Sequence, residues 1–216
     1  WVVWANRDKY KLKWLLCMLA VKLQFPARKI NKFVVAYCRQ TGCGKTSIRY
    51  FLQAIFNRSA VLFCDQVDEF LENENSEQLG KLWCVVDDID RCKRKQSDAL
   101  KSRITADTFR YKRLYENRVT MNSYLDLIGT SNHPRPVFVG ENDRRVELVR
   151  INPEKRNNTP ENKIFWKQFY AELDDLKVMG AWFHYLANYE ITLDVTSMDV
   201  RFDRTELEAQ KLTSMK

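Results

Sequence analysis

The chain has 216 residues, of which 45% are apolar and 30% are charged. This length fits one sizeable α/β domain with an appendage, and the apolar share is enough for a core, so the composition excludes a disordered chain. The formal net charge of +8 indicates a polyanionic partner, although charge alone says nothing about the fold. The most apolar stretch, residues 14–25, is too short to cross a bilayer and contains Lys22, so we expect no membrane span.

The first predicted elements are a helix and a strand. Apolar residues at helical spacing predict a helix over residues 5–24, and Pro26 ends it. The continuous apolar run Phe33–Cys38 then predicts a buried strand. Because the chain begins at Trp1 rather than Met, we interpret it as an excised piece of a longer polypeptide. No signal peptide pattern is present, so we expect a soluble, intracellular protein.

A glycine-bearing loop follows this strand and precedes a predicted helix over residues 47–56. Its residues, in order, are Gln40, Thr41, Gly42, Cys43, Gly44, Lys45, Thr46 and Ser47. Strand, glycine loop, Lys-Thr and helix together form an arrangement that cradles a polyphosphate through backbone N–H groups and the helix dipole. In it, Lys45 would reach the outer phosphates and Thr46 would hold Mg²⁺. Arg39 stands where the usual pattern has glycine, so the alternative is a chance loop in a globular domain.

Two further predicted strands follow the loop. The short apolar run 60–64 predicts a buried parallel strand, and the acidic residues of 65–80 form a solvated face that is helical in its first half. The run 81–86 predicts another buried strand, which ends in Asp87 and Asp88. Carboxylates at the carboxyl edge of a sheet lie where ligands bind in α/β folds. We assign Asp87 to a metal ion and Asp88 to an attacking water, whereas in isolation the pair would indicate a turn.

A basic segment comes next. Residues 91–113 contain nine cations and two acids, a net charge of +7. We predict a helix over 97–104 and a hairpin with arms at 109–114 and 119–121. The plain interpretation is a solvated surface; we favour binding to a phosphate backbone, since the charge is concentrated here. The candidate residues for nucleic-acid binding are Lys101, Arg110, Lys112, Arg113 and Tyr115.

The rest of the chain supplies two more strands and a helical end. A strand over 124–132 ends at Asn132, whose amide suits a γ-phosphate or a water. Arg144 and Arg145 precede a last strand over 146–151. Aromatic residues at helical spacing over 161–188 predict one long helix, and we interpret the aromatic side chains as core packing rather than base stacking. A charged helix over 204–216 ends the chain.

The six cysteines include no C-x-x-C pair. We therefore interpret them as free thiols in a reducing compartment, with Cys64 and Cys84 buried, rather than as disulfides. A metal site is a weaker alternative, because only His133 and His184 are available to complete one.

Four of these motifs, in this order, resemble superfamily 3 helicases, the AAA+ ATPases of viral and plasmid replication, and in particular the helicase part of poxvirus-type and phage-type primase–helicases. The residues that carry the resemblance are Gln40–Thr46, Val85–Asp88, Leu100–Thr105 with the hairpin after it, and Thr130–Asn132. The segment Asp143–Arg145 lies where such proteins place an arginine finger. The likeness of the final segment, residues 184–206, extends the resemblance over nearly all of the chain.

The resemblance implies a P-loop NTPase fold of AAA+ type. That fold has a mostly parallel five-stranded sheet flanked by helices, a β-hairpin inserted after the strand that carries Asp87, and a helical C-terminal segment. We divide the chain into an N-terminal helical lead-in (1–30), an ATPase core (31–152) and a C-terminal helical segment of the same domain (153–216).

The resemblance also implies ATP hydrolysis with Mg²⁺, coupled to movement along single-stranded DNA by a ring that is usually a hexamer. Lys45, Thr46, Asp87, Asp88 and Asn132 would serve the nucleotide of their own subunit. Arg144 or Arg145 would reach the nucleotide of a neighbour, and the hairpin would grip DNA in the channel. Such a protein is expected inside the cell, in host cytoplasm or nucleus if viral, fused to or partnered with a primase or polymerase module.

Two other functions remain open on the sequence. One is an ATP-binding and DNA-binding ring that hydrolyses poorly and acts as a loader, since Asp88 replaces the more common Glu. The other is a small-molecule P-loop kinase, which would leave the basic segment and the Arg144-Arg145 pair unexplained.

Overall fold

A computed structural model of the chain describes residues 2–72, 75–89, 92–112, 115, 117–140 and 143–214. The helices in this part are α1 (Val2–Ala5), α2 (Lys9–Gln24), α3 (Ser47–Phe56), α4 (Val67–Leu71), α5 (Arg94–Thr105), α6 (Pro160–Asp174), α7 (Leu176–Ala187) and α8 (Arg204–Ser214). The strands are β1 (Phe33–Tyr37), β2 (Val61–Cys64), β3 (Trp83–Val86), β4 (Thr108–Tyr111), β5 (Val119–Asn122), β6 (Asp126–Ser131) and β7 (Val146–Arg150).

Five strands form one sheet in the order β2-β3-β6-β1-β7, and every neighbouring pair is parallel. The sheet is parallel because a helix or a long segment connects each strand to the next. Tyr37 pairs with Ser131 on one side and Arg150 on the other, so the carboxyl ends of β1, β6 and β7 lie at one edge. The predicted α/β fold with a parallel five-stranded sheet is confirmed.

The sheet is buried on both faces, which explains why its strands are apolar without alternation. In β1, Val34 and Ala36 belong to a cluster that includes residues of α2, α3, α6 and α7. Phe33, Val35 and Tyr37 belong to a second cluster that includes residues of α4 and α5. The fold therefore has three layers, helices over sheet over helices.

The predicted hairpin is also confirmed. Strands β4 and β5 pair antiparallel as a separate two-stranded sheet, with Thr108 opposite Asn122. All four residues of β5 are exposed. The hairpin begins and ends next to the amino end of β6, since the Ser123 N–H donates to the Asp107 carbonyl (2.8 Å). The hairpin therefore joins the sheet at the amino-terminal ends of the strands, whereas the glycine loop lies at their carboxyl-terminal ends.

Three buried groups of paired charges hold the amino-terminal edge of the sheet together. Lys22 of α2 lies 2.7 Å from Asp126 at the start of β6. Lys101 of α5 lies 2.7 Å from Asp143, just before β7. The third joins Glu147 of β7 to both Lys32 (3.3 Å) and Arg201 (3.1 Å). Burial of a charge is costly unless it is paired, so these contacts fix which segments meet at this edge.

Two sequence predictions about helices are wrong in part. The first helix does not run from residue 5, because the Asp8 carboxylate accepts from the Tyr10 and Lys11 N–H groups and starts α2 at Lys9. The helix predicted over 161–188 is two helices. Asp175 interrupts it, since its carboxylate accepts from the Lys177 N–H (2.8 Å) and caps α7.

The aromatic residues of α6 and α7 are only partly core. Trp166 is buried, but Tyr170, Trp182, Phe183 and Tyr185 are 38–49% exposed. The interpretation of these residues as core packing is therefore wrong for four of them. All six cysteines are free thiols, as predicted, and Cys64 and Cys84 are buried. In the described part of the chain, no helix is long and apolar enough to cross a membrane. The proposed division into three segments stays a prediction.

Candidate nucleotide site

The glycine loop connects the end of β1 to the start of α3. Gly42 and Gly44 have φ angles of 73° and 84°, in the left-handed region that favours glycine. At Gly44 a side chain is excluded for a second reason, because a Cβ there would lie 2.0 Å from Cη2 of Trp166. The loop therefore depends on glycine at position 44 both for its backbone and for its contact with α6.

Lys45 joins this loop to the tip of β6. Its side chain is buried, and its ammonium donates to the Asn132 side-chain carbonyl (2.9 Å) and to the Gln40 carbonyl (3.4 Å). Lys45 and Asn132 are 87 positions apart but come together because β1 and β6 are parallel neighbours. A lysine and an amide predicted to serve the same phosphates are thus in direct contact.

Thr46 faces the end of β3. Its hydroxyl lies 3.4 Å from one oxygen of the Asp87 carboxylate and 3.5 Å from the other. Hydroxyl and carboxylate oxygens are hard ligands that suit Mg²⁺, which takes one or two protein ligands together with phosphate oxygens and water. No group of three or more His, Cys, Asp or Glu side chains in the described residues, at this site or elsewhere, is placed to hold a metal ion. Thr46 and Asp87 therefore fit the ion that the loop implies.

Asp88 adopts a left-handed backbone with φ of 42°, which is uncommon for a residue with a side chain. In this conformation its carboxylate accepts from the Asn132 amide (3.0 Å), while its N–H donates to the Asp87 carboxylate (3.0 Å). Backbone strain of this kind collects at functional sites. The predicted residues Lys45, Thr46, Asp87, Asp88 and Asn132 are thus brought together in one connected group.

Thr130 belongs to this group, although no pattern in the sequence indicated a separate role for it. Its hydroxyl donates to the Asp87 carboxylate and accepts from the Asp88 N–H (3.3 Å). Thr130 is fully buried. The register of the sheet, in which Val86 pairs with Gly129, places Thr130 beside the end of β3. This pairing could have been anticipated only by aligning the ends of the two strands.

Residues far away in the sequence cover the loop. The Asn157 N–H donates to the Gly42 carbonyl (2.9 Å), and the Arg156 guanidinium donates to the Thr41 carbonyl (3.3 Å). On the other side, the Trp4 indole donates to the Gly44 carbonyl (3.3 Å). Both terminal segments of the chain therefore hold the loop by its carbonyl groups, which local patterns in the sequence could not indicate.

Cys43 is fully buried beneath the loop. Its sulfur lies 3.1 Å from that of Cys38, which donates to it, and its own thiol points to the Gln40 carbonyl (3.3 Å). Burial, and then the contact with Cys38, raises the pKa of the Cys43 thiol to about 12. The thiol is therefore protonated at neutral pH and acts as a packing residue under the loop.

The predicted arginine fingers lie at the other edge of the sheet. The Phe33 N–H donates to the Arg145 carbonyl (2.7 Å) at the amino end of β1. The Arg145 side chain is engaged internally, 3.6 Å from Asp143 and 3.4 Å from the Lys101 carbonyl. The Arg144 side chain is 68% exposed, with a 3.8 Å contact to Asp199. Neither arginine meets Lys45 of the same chain, so a role toward a neighbouring subunit stays a prediction.

The candidate residues for nucleic-acid binding are divided by the structure. The assignment of Lys101 to nucleic-acid binding is wrong. Its side chain is buried, paired with Asp143 and bonded to the Phe138 carbonyl (2.6 Å), so it is not available to DNA. Arg110 is exposed on β4, Lys112 is half-buried, and Tyr115 is 96% exposed at the turn. Arg113 lies outside the described residues.

Residues 37–145, half of the chain, match a protein family of unknown function, DUF5906. The chain belongs to this family. The match includes the loop, the aspartates and Asn132, so the whole group of contacting residues lies inside the family's common region. A search of curated proteins finds no match.

The fold of this chain is similar to those of several solved structures. One structure of the C-terminal region of NrS-1, without ligand, covers 99% of the chain with a TM-score of 0.80 and 20% identity. A second structure of that region gives a TM-score of 0.77. A structure of JCV helicase with a bound acetamide compound covers 94% of the chain, with a TM-score of 0.51 and 12% identity. The chain spans 50% of the length of the first NrS-1 structure and 59% of the length of the JCV helicase chain.

Proposed function

We propose that the chain binds ATP with Mg²⁺ and hydrolyses it, as part of a helicase-like motor. One observation carries the proposal. Lys45 and Thr46 at the end of the glycine loop, and Asp87, Asp88 and Asn132 directly after strands β3 and β6, form one group linked by contacts of 2.9–3.5 Å. A lysine, a hydroxyl, two carboxylates and an amide beside a glycine loop are what phosphoryl transfer to water requires.

Each residue has a definite part in this proposal. The Lys45 ammonium neutralises charge on the outer phosphate oxygens, where it exchanges its bond to Asn132 for one to the substrate. Thr46 and Asp87 would hold Mg²⁺, which supplies charge stabilisation at the phosphates when bound. Asp88, fixed by the Asn132 amide, orients a water and accepts its proton. Thr130 keeps the Asp87 carboxylate in place.

The motor part of the proposal has separate support. The fold is similar to a JCV helicase, and the exposed hairpin carries Arg110, Lys112 and Tyr115 on the edge away from the loop. Cations that meet phosphates and an exposed aromatic ring suit single-stranded DNA. We propose that copies of the chain form a ring, a hexamer by the resemblance, with the hairpins in its channel. A primase or polymerase module is the partner that the resemblance implies.

The test is phosphate release from Mg·ATP, with and without oligo(dT). We expect turnover by the wild-type protein that oligo(dT) increases, and loss of ATP binding in Lys45→Ala because the outer phosphates lose their cation. Lys177→Ala, which removes an exposed lysine of α7, is the matched control and should behave as wild type. Equal ATP binding by the Lys45 and Lys177 variants would refute the site.

A second function, ATP binding by a ring with little hydrolysis, is favoured by one observation. The Asp88 carboxylate already accepts from Asn132, and an aspartate reaches less far than a glutamate. The same assay separates the two functions. Tight ATP binding with no phosphate release, at any oligo(dT) concentration, would favour the non-hydrolysing ring.

A further inference from the structure

An aromatic cavity lies directly beside the glycine loop. It has a volume of about 210 Å³ and is lined by residues 42–47 of the loop and by Asn157, Trp166 and Tyr170. Trp166 is 7% exposed and Tyr170 is 40% exposed. The cavity thus has a polar wall, formed by the loop, that suits phosphates, and an aromatic wall that does not. The residues proposed to carry out hydrolysis do not include Trp166 or Tyr170, so the aromatic wall has no role in that proposal.

Contacts on several sides fix the aromatic wall. The Trp166 indole N–H donates to the Lys155 carbonyl (2.6 Å), and its ring lies against Gly44. The Tyr170 ring meets the Tyr50 ring edge-on, with centroids 5.4 Å apart. The Trp166 and Tyr170 rings are tilted by 34°, with centroids 6.2 Å apart. Rings held in this way bind a flat ligand at little entropic cost, because they do not have to be ordered first.

Three other cavities in the described part of the chain lack this combination, and the one lined by Tyr50, Arg58 and Tyr170 includes no residue of the glycine loop. The cavity next to Asp88 is lined by Asp65 and Asp68, which would repel phosphates. The cavity on the far side of the loop contains Arg39 and Arg150 but has Tyr37 as its one aromatic side chain. The cavity beside the glycine loop is therefore where a ligand with both a phosphate chain and a flat apolar ring fits best.

We infer that the base of a bound nucleotide lies against Tyr170 and Trp166, with the Asn157 side chain at the rim as a hydrogen-bonding group for the base or ribose. This inference rests on the proposed function, since it needs the phosphates to lie at Lys45 and Thr46. It assigns the base-binding role to helix α6, whose aromatic residues the sequence indicated only as core. Stacking on an aromatic ring tolerates different bases, so the site favours nucleotides in general over bare phosphates.

The experiment compares two ligands, Mg·ATP and magnesium tripolyphosphate, which share the phosphate chain but not the base. We expect Tyr170→Ala to weaken ATP binding by about 5- to 100-fold, as for loss of one stacking partner, and to leave tripolyphosphate binding unchanged. Tyr170→Phe, which keeps the ring, should bind both ligands as wild type does. Tyr185→Ala removes a tyrosine of similar exposure (47%) from α7 and is the control for loss of an exposed ring.

The outcomes separate this inference from the proposed function. If wild-type protein binds ATP no more tightly than tripolyphosphate, or if Tyr170→Ala weakens both equally, the base site is overturned and the phosphate site stands. If Lys45→Ala leaves both affinities unchanged, or wild-type protein binds neither ligand, the proposed function fails and the base site fails with it. Thermal melting of each variant identifies any that have simply unfolded.

Discussion

Asp87, which we propose as a Mg²⁺ ligand, shows how neighbouring groups hold a single side chain in place. Its carboxylate accepts from the Thr130 hydroxyl and the Asp88 N–H, and it lies within 3.5 Å of the Thr46 hydroxyl. Each donor restricts the rotation of the carboxylate. Preorganised groups of this kind give more to catalysis than flexible ones, because no free energy is spent on ordering them during the reaction.

Thr130→Val tests this preparation at the scale of one hydroxyl group. The variant keeps the shape of the side chain but removes the donor to Asp87 and the acceptor for the Asp88 N–H. A hydrogen bond to a charged group contributes about 1.5–3 kcal/mol, so we expect phosphate release to fall by about 10- to 100-fold. Thr130→Ser keeps the hydroxyl and should retain most of the activity. Wild-type turnover in the valine variant would show that Asp87 does not depend on Thr130.

At the scale of elements, the basic segment divides into an internal part and an exposed part. On α5, Lys101 is paired with Asp143, and Arg103 stacks on the Phe109 ring of the hairpin (3.4 Å). On the hairpin, Arg110 and the ring of Tyr115 face solvent. Lys101 is thus engaged inside the fold and Arg103 holds the hairpin against α5, whereas Arg110 on the hairpin faces solvent.

The hairpin prediction follows from this division. Arg110→Ala with Lys112→Ala should weaken binding to oligo(dT) and flatten its dependence on salt by up to about 2 units of slope, because two phosphate contacts are lost. Tyr115→Ala should lower the affinity without changing the slope, since its ring carries no charge. Lys177→Ala on α7 serves as the control for loss of an exposed cation. An unchanged slope in the double variant would place the DNA contact elsewhere.

Local patterns predicted the sheet and the loop well, because strand, glycine turn and helix each depend on neighbouring residues. They failed where a distant partner decides the outcome. Lys101 looks like a surface cation until Asp143, 42 positions later, is brought beside it. Trp166 is buried, as the spacing predicted, but the spacing could not show that it packs on Gly44, 122 positions earlier. Counting charges or apolar positions along one segment contains no information about such pairs.

At the scale of the whole molecule, the carboxyl-terminal and amino-terminal edges of the sheet carry different kinds of residues. The carboxyl edge holds the candidate nucleotide group, while buried ion pairs close the amino edge around Lys22, Lys32 and Lys101. Arg144 lies at the amino edge with its side chain exposed, whereas the Arg145 guanidinium is bonded within the chain. If either arginine acts in a ring, exposure favours Arg144, because it is available to another copy.

The ring prediction is tested by mixing variants. We expect Arg144→Ala to bind ATP normally but to lose hydrolysis, by about 10³-fold or more on the scale of arginine fingers, and Arg145→Ala to retain more activity. Lys45→Ala and Arg144→Ala, each inactive alone, should regain activity when mixed, since one supplies the arginine and the other an intact site. If the mixture stays inactive while each variant still forms rings, Arg144 is not the finger.

The carbonyl groups of Thr41, Gly42 and Gly44 accept from Arg156, Asn157 and Trp4, which flank the sheet from opposite ends of the chain. A displacement of the loop toward a ligand must stretch or shorten all three bonds together. If the loop binds phosphates as we propose, its movement is therefore mechanically tied to α1 and to the segment that leads into α6. The same bonds would act in reverse, so that a pull on Trp4 or on Arg156 and Asn157 would alter how firmly the loop holds a bound anion.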